Sequence, residues 1–227
     1  VYDLQFTNSE YFQEQALSYR IKSETLKAKR GSIYDKNLQP IATSTQSFNI
    51  GIYPDKVENI KEVSTLLSPL LEKDSTEIAN KILNSSRFFY LDRNIDYEKG
   101  EEIKSWNLEG VVLEPSFNRV IHANSVSKII GKVDPDENGI EGLELYFDSS
   151  LKGTDGEISY EASPNGKIIP QAPIKTIQPT HGKDLILTLD SELQFISENL
   201  CSEALEKTEA LNCSIVFANA NTGEILI

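Results

Sequence analysis

The chain has 227 residues, 39% hydrophobic and 25% charged, with a net charge of −13 at pH 7. That length suits one large domain or one domain with a piece of another, and the composition is that of an ordinary water-facing globular chain. The acidic excess argues against nucleic acid and anionic lipid headgroups as partners, and no apolar run approaches the roughly 18 residues that cross a membrane.

There is no methionine and the first residue is Val1, so the chain is expected to begin inside a longer protein. Ser9–Leu26 suggests a helix. Arg30-Gly31-Ser32-Ile33-Tyr34-Asp35 has a strand-like start, and Ile41 to Tyr53 carries the β-branched and aromatic residues of another strand. From Val57 to Asn84 the pattern is helical, with Ile60, Val63, Leu66 and Leu67 on one face. Ser68-Pro69 predicts a helix restart, with serine as cap and proline in the first position. Asp74 followed by Glu77 resembles a capping box ahead of Ile78, Ile82 and Leu83.

Phe88 to Leu91 reads as a short buried strand, Asp96 as the cap of a helix running to about Trp106, and Gly110 to Glu114 as extended chain. Alternating short strands and helices predict an α+β fold. Residues 131–156 are rich in Gly, Asp and Asn. Pro164, Pro170, Pro173, Pro179 and Gly182 make 164–183 an extended connector, because proline withholds donors from a sheet centre. The predicted division is therefore a first domain over 1–163, the connector over 164–183, and a new domain opening over 184–227.

In that last part Leu185, Leu187 and Leu189 alternate as a strand, and Asp190 is a plausible cap for a helix with one face marked by Leu193, Ile196, Leu200 and Ala204. Ser214 to Ala218 and Glu224 to Ile227 flank a turn over Asn219–Gly223. One strand, one helix and one hairpin cannot bury both faces alone, so the chain is expected to stop inside an unfinished sheet. Cys201 and Cys213 show no zinc-like spacing, and buried free thiols are expected in preference to a disulfide.

Three patterns could carry chemistry. Ser125-Val126-Ser127-Lys128 fits Ser-x-x-Lys, in which the lysine takes the serine proton for acyl transfer; Ser163-Pro164-Asn165 would add a Ser-x-Asn. No Lys-Thr-Gly follows, since Lys175-Thr176 is succeeded by Ile177, and the solvated-surface reading is preferred. Asp134-x-Asp136-x-Asn138-Gly139 matches the first half of a calcium loop, but Leu145 stands where the bidentate glutamate belongs, and an acidic turn is preferred. His122 and His181 are isolated and read as hydrogen-bonding residues, and Trp106 as a packing residue.

The third pattern is a series of motifs in one order. Arg30-Gly31-Ser32-Ile33-Tyr34-Asp35 with Pro40-Ile41-Ala42 comes first, then Arg119. Asn138-Gly139-Ile140-Glu141-Gly142-Leu143-Glu144 follows, with Tyr146, Leu151, Gly153 and Gly156. Then come Gly182 to Asp190, including Thr188, with Leu193-Gln194 and Glu198, and finally Ile215 to Phe217 with Thr222-Gly223-Glu224-Ile225-Leu226. Together these resemble the pedestal and the start of the transpeptidase domain of class B penicillin-binding proteins. Phe88 to Arg93 and Gly110-Val111 resemble the division-type members. Two places depart from the pattern: Lys36-Asn37-Leu38 lacks the glycine usual after Asp35, and Val120-Ile121-His122 replaces an aromatic-proline pair.

The resemblance implies an elongated α+β pedestal followed by the first strand, helix and hairpin of a serine-transpeptidase domain. It implies a parent that cross-links peptidoglycan through a serine ester that penicillins trap, with the catalytic serine beyond residue 227 and Ser125 in the pedestal. It also implies a single N-terminal anchor, a place on the outer side of the bacterial cytoplasmic membrane, and division-machinery membrane partners including a lipid-linked glycan polymerase. Stem peptides would bind through the transpeptidase domain, and self-association fits the same picture. No cofactor or metal is implied. Arg30, Arg119 and Glu144 are expected to converge as an ion-pair cluster, each guanidinium matching a carboxylate as a bidentate fork. Gly31, Gly139, Gly142, Gly153 and Gly156 are expected to serve backbone needs. The alternative from another class is an acidic extracellular binding module, calcium-dependent in its sharpest form.

Overall fold

A computed structural model of the chain describes residues 21–163, 169 and 174–227. The α+β expectation holds. The main sheet is organised by β3 (Pro40–Ile52), a 13-residue strand. Along one edge it pairs antiparallel with β5 (Val111–Ile121), from Ala42↔Ile121 to Ile52↔Val111. The other edge is shared: β4 (Phe89–Asp96) pairs at the far end, and β2 (Ile33–Tyr34) at the near end. β8 (Leu185–Ile186) continues the sheet parallel to β2.

Because β3 is so long, it serves two cores. Phe48, Ile50 and Ile52 enter the first, with Val63, Leu67 and Leu71 of α1 (Ile60–Leu71), Ile78 and Ile82 of α2 (Ser75–Leu83), and Ile103 of α3 (Tyr97–Ser105). Trp106 packs against this core. Ile41 and Ala42 enter the second, with Ile33, Val126, Leu151 and Ile130 of α4 (Ser127–Ile130). We call the two regions head and stem.

Local signals explain most of the boundaries. The Asn59 side chain accepts the Glu62 N–H and opens α1, and Asp74 accepts the Thr76 N–H and opens α2. Asp96 precedes α3 as expected, although no cap bond is made by its side chain. The restart at Ser68-Pro69 does not occur. The helix runs through Pro69 and ends at Glu72, which turns left-handed at φ 54°. Ser68 closes the helix instead of opening another: its carbonyl accepts the Lys73 N–H and its hydroxyl donates to the Lys73 carbonyl.

Other expectations need correction. Of the helix read over Ser9–Leu26, the part up to residue 20 lies outside the described residues, and Ile21–Leu26 is a strand, β1. It pairs with β6 (Gly156–Glu161), whose backbone donors and acceptors offer it an alternative to helix. β7 (Lys175–Ile177) adds an edge strand to β6, so the proline-flanked stretch is sheet-bound there. An edge position tolerates its proline neighbours. The strand read over 185–189 is shortened to two residues. The two read after Asn212 reduce to one bridge, Ala218↔Ile225, around the expected turn.

α7 (Ser191–Thr208) forms as read, but Leu193, Ile196 and Leu200 are exposed and Ser197 is its buried residue. The contact with the stem is thus made by the neighbouring, more polar stripe. Cys201 and Cys213 are joined in a disulfide, with Cα atoms 5.6 Å apart. The chain reverses at Glu209, in left-handed conformation with φ 53°, and this brings the second sulfur back to the first.

Candidate functional site: a carboxylate held by two arginines

Arg30 stands just before β2, Arg119 near the end of β5, and Glu144 in the short helix α5 (Gly142–Tyr146). The structure brings all three together. Arg30 Nε donates to Glu144 Oε2 at 2.7 Å, and Arg119 Nε donates to Oε1 at 2.7 Å. The side chains of Arg30 and Glu144 are each 1% exposed, and that of Arg119 4%. The bidentate fork is not formed. Glu144 instead gives one oxygen to each arginine, which leaves further guanidinium donors for backbone and side-chain partners, although Arg119 Nη2 is buried with none among the described residues.

Those donors fasten separate segments. Arg30 Nη2 donates to the Glu144 carbonyl at 2.9 Å, and Nη1 to the Glu137 carbonyl at 2.9 Å and to Asp148 at 2.7 Å. Arg119 Nη1 donates to the Gly31 carbonyl and to Ser44 Oγ. Asp148, in α6 (Asp148–Leu151), also accepts the Gly139 N–H. Burial pushes the Asp148 carboxyl up, but the Gly139 N–H and Arg30 outweigh it and hold the group below its ordinary range.

Glu137 behaves in the opposite way. Burial pushes its carboxyl up, and the Ser44 hydroxyl, donating at 2.7 Å, and the two arginines do not fully offset this. Its backbone is left-handed at φ 59°. Sequence reasoning missed Glu137 and Asp148: the first sits among turn residues that read as an exposed acidic loop. A signal for the second was its position four after Glu144.

Glycines make the close approach possible. A Cβ on Gly31 would lie 2.0 Å from the Lys183 carbonyl oxygen, and one on Gly182 would lie 1.7 Å from that of Leu151. The chain is threaded here: Gly31 N–H donates to Leu151, Gly182 N–H to Lys29, and Leu185 N–H to Ser32. Gly139, Gly142, Gly153 and Gly156 also face backbone closely. Tyr146 stands apart, 79% exposed, its ring edge-on to Phe147.

A second junction lies at the start of α7. Asp190 caps that helix through the Leu193 N–H at 3.0 Å and pairs with Lys36 at 2.9 Å. Gln194 N–H donates to the Asp190 carbonyl. Asp35 crosses the other way: its Oδ2 accepts the Ser191 hydroxyl at 2.7 Å, while Oδ1 accepts the Asn37 and Gln39 N–H groups. Burial raises the buried Asp35 carboxyl, but these bonds hold it below its ordinary value. The glycine missing after Asp35 has a direct counterpart, because Leu38 takes φ 61° in its place. Thr188 Oγ1 donates to the Ile225 carbonyl, the Glu224 carboxylate accepts the Thr222 hydroxyl, and Gly223 turns the hairpin at φ 75°.

Chemically, this is a fastening. Ser44 is a hydroxyl beside a carboxylate, but the residue is 3% exposed. Ser125 is half-buried in a 3-10 turn, and Lys128 faces solvent. Ser163 is described, whereas Pro164 and Asn165 lie outside the described residues. In the calcium-like loop, Asp134 accepts the Asp136 and Asn138 N–H groups and the Asn138 amide, while the Lys152 ammonium contacts Asn138 Oδ1. The Asp134 and Asn138 oxygens thus meet the loop's own donors and Lys152, and Asp136 pairs with Arg93 at 2.9 Å. His122 bonds Thr43 and His181 accepts the Lys29 N–H.

Comparison with known proteins points one way. The family described as "Penicillin-binding Protein dimerisation domain" matches residues 25–187. The probable peptidoglycan D,D-transpeptidase PenA of Neisseria meningitidis is 30% identical over 228 residues, covering 98% of this chain and 39% of its own. The peptidoglycan D,D-transpeptidase FtsI of Buchnera aphidicola is 28% identical, covering 98% of this chain and 40% of its own. The chain thus spans about two fifths of the length of these relatives. Among solved structures, the Helicobacter pylori complex of penicillin-binding protein PBP2 with MreC shares the fold, with TM-score 0.66 and 19% identity over 91% of this chain and 42% of that one.

Proposed function

Because this chain belongs to the penicillin-binding protein dimerisation-domain family, we propose that it is the pedestal of a class B peptidoglycan D,D-transpeptidase acting in septal wall cross-linking. The observation that carries the reading is the Glu144 carboxylate shared by Arg30 and Arg119. It fastens the start of β2, the end of β5 and α5 into one frame, in which the Ser44 hydroxyl beside Glu137 is buried.

In this reading the motif residues Arg30, Gly31, Asp35, Arg119, Gly139, Gly142, Glu144, Gly153 and Gly156 are architectural. Residues 1–163 form the pedestal, 164–183 the connector, and 184–227 the opening of the transpeptidase domain. Asp35–Ser191 and Lys36–Asp190 couple pedestal to catalytic unit. The parent acts on stem peptides outside the cytoplasmic membrane and is anchored by an N-terminal helix. Among the described residues no helix is long and apolar enough to cross a membrane. The partners are envelope-machinery membrane proteins, a lipid-linked glycan polymerase among them. The complex of the Helicobacter pylori relative with MreC supports a partner-binding role.

The test is to expose the product of the complete gene to a fluorescent penicillin and map the labelled serine by mass spectrometry. The expected label lies outside residues 1–227. Acylation of Ser125, abolished by Ser125→Ala, would overturn the proposal.

A further inference from the structure

β5 has a strand on one side only. It pairs with β3 over all 11 of its residues, and among the described residues no other strand joins it. The bonds at the two ends of that ladder run from the Tyr53 N–H to the Gly110 carbonyl and from the His122 N–H to the Ile41 carbonyl. They place the even-numbered residues of β5 in the bonded pairs, so Leu113, Pro115, Phe117 and Arg119 turn their backbone groups outward. Among the described residues, no hydrogen bond reaches the N–H of Leu113, Phe117 or Arg119, or the carbonyl of any of the four. The other margin of the head is treated differently. On β4 the Tyr90 carbonyl accepts Lys81 Nζ at 3.4 Å, and the Leu91 carbonyl accepts Lys73 Nζ at 3.3 Å. Lysines blunt a sheet edge in this way, whereas β5 has only Pro115 to interrupt it. Residues 184–227 join the sheet through β8 and β2, on the far side of β3, so the unit they open does not grow along β5.

We propose that the β5 edge from Leu113 to Arg119 takes up a basic, extended segment of a partner protein, which adds to the sheet as one more strand. The outward N–H and carbonyl groups supply the pairing, and charge selects the occupant. The chain carries a net −13, so a second copy is repelled and a segment rich in lysine or arginine is attracted. A cleft of about 360 Å3 opens beside Ser116 and Phe117, its walls mixing Asp136, Glu137 and Asp155 with Lys27 and Lys152. Asp136 is 63% exposed and gives only Oδ1 to Arg93, so Oδ2 is open to a cation from the added strand. Val112, 36% exposed on the same strand, lies where the segment's side chains would pass. The inference goes beyond the pedestal reading and does not depend on the parent's wall chemistry.

The test uses the full-length protein and three synthetic octapeptides: alternating lysine and valine, alternating glutamate and valine, and the lysine peptide N-methylated at every residue. Amide hydrogen exchange over residues 111–121 is read by mass spectrometry. The lysine peptide is expected to slow exchange of the Leu113, Phe117 and Arg119 amides at least tenfold, and the other two to leave it unchanged. Val112→Lys should weaken binding of the lysine peptide at least fivefold and Val112→Glu should tighten it, with melting of both variants unchanged. Equal protection by the lysine and glutamate peptides would overturn the charge selection, and equal protection by the N-methylated peptide would overturn strand pairing. No protection by the lysine peptide would overturn the proposal outright. So would slow exchange of these amides in the free protein, whether independent of concentration, as with an occupant from its own chain, or rising with it, as with a second copy.

Discussion

Arg30 and Arg119, 89 positions apart in sequence, hold opposite oxygens of the same Glu144 carboxylate at 2.7 Å each. Both guanidiniums are buried, so neither has water to fall back on. Removing the carboxylate takes from Arg119 its ion-pair partner and leaves Arg30 with Asp148. Breaking a buried pair from one side costs about 3–5 kcal/mol. Glu144→Ala is therefore expected to lose at least that much in urea unfolding. A loss below about 1 kcal/mol would remove the cluster from the list of what holds the stem together.

Gly31 and Gly223 should respond differently to a methyl group. At Gly31 it would meet the Lys183 carbonyl oxygen at 2.0 Å, so backbone must move. At Gly223 nothing lies within 4 Å and the cost is only that of the left-handed backbone. Gly31→Ala is expected to cost about 3 kcal/mol, and Gly223→Ala about 1 kcal/mol. Thermal melts of the two variants check the order, and equal shifts would contradict the threading of this segment.

Leu38 is left-handed and 62% exposed, so its side chain gives little burial in return for the strain. Leu38→Gly should stabilise the protein by about 0.5–1 kcal/mol. The check is denaturant unfolding, and a destabilised variant would mean that the Leu38 side chain contributes packing of its own.

Glu137 and Asp35 give opposite pH signatures. The Glu137 carboxyl is raised in the folded state, so folding favours its protonated form; that contribution is greatest at acidic pH and declines as pH rises towards neutrality. Glu137→Gln is expected to melt higher than the parent at pH 7, with the gain vanishing near pH 4. The Asp35 carboxyl is lowered, so its contribution is present at neutral pH and is lost as pH falls below about 4. Asp35→Asn should destabilise at pH 7 and converge with the parent in acid. Melting curves across that range read both, and parallel curves for either variant would contradict the assignment.

The stem cluster could be anticipated because Arg30, Arg119 and Glu144 stand in otherwise apolar or turn-forming surroundings, where an isolated charge needs a partner. Glu137 gave no such sign: its burial comes from strands packed beside the loop, and its neighbours Asp136 and Asn138 look solvated. Pro69 misled because the helix runs on past it for two residues, to Leu71, at the loss of the one N–H that would have donated back to the Thr65 carbonyl. The apolar stripe of α7 marked a helix correctly but not the side that meets the stem, since the amphipathic pattern fixes a face and not what lies against it. The disulfide depended on a left-handed turn at Glu209, a conformation that local sequence seldom announces outside glycine and asparagine.

The continuous ladder of β3 with β5 has a mechanical consequence. The same ribbon that lines the head core at Ile50 and Ile52 lines the stem core at Ile41 and Ala42, with no hinge residue between them. A load applied at the head, by anything bound there, cannot be absorbed by slippage without rupturing that ladder. It is passed down as torque to the turn at Asp35 and the base of the following helix, which makes the head a handle on whatever that helix carries.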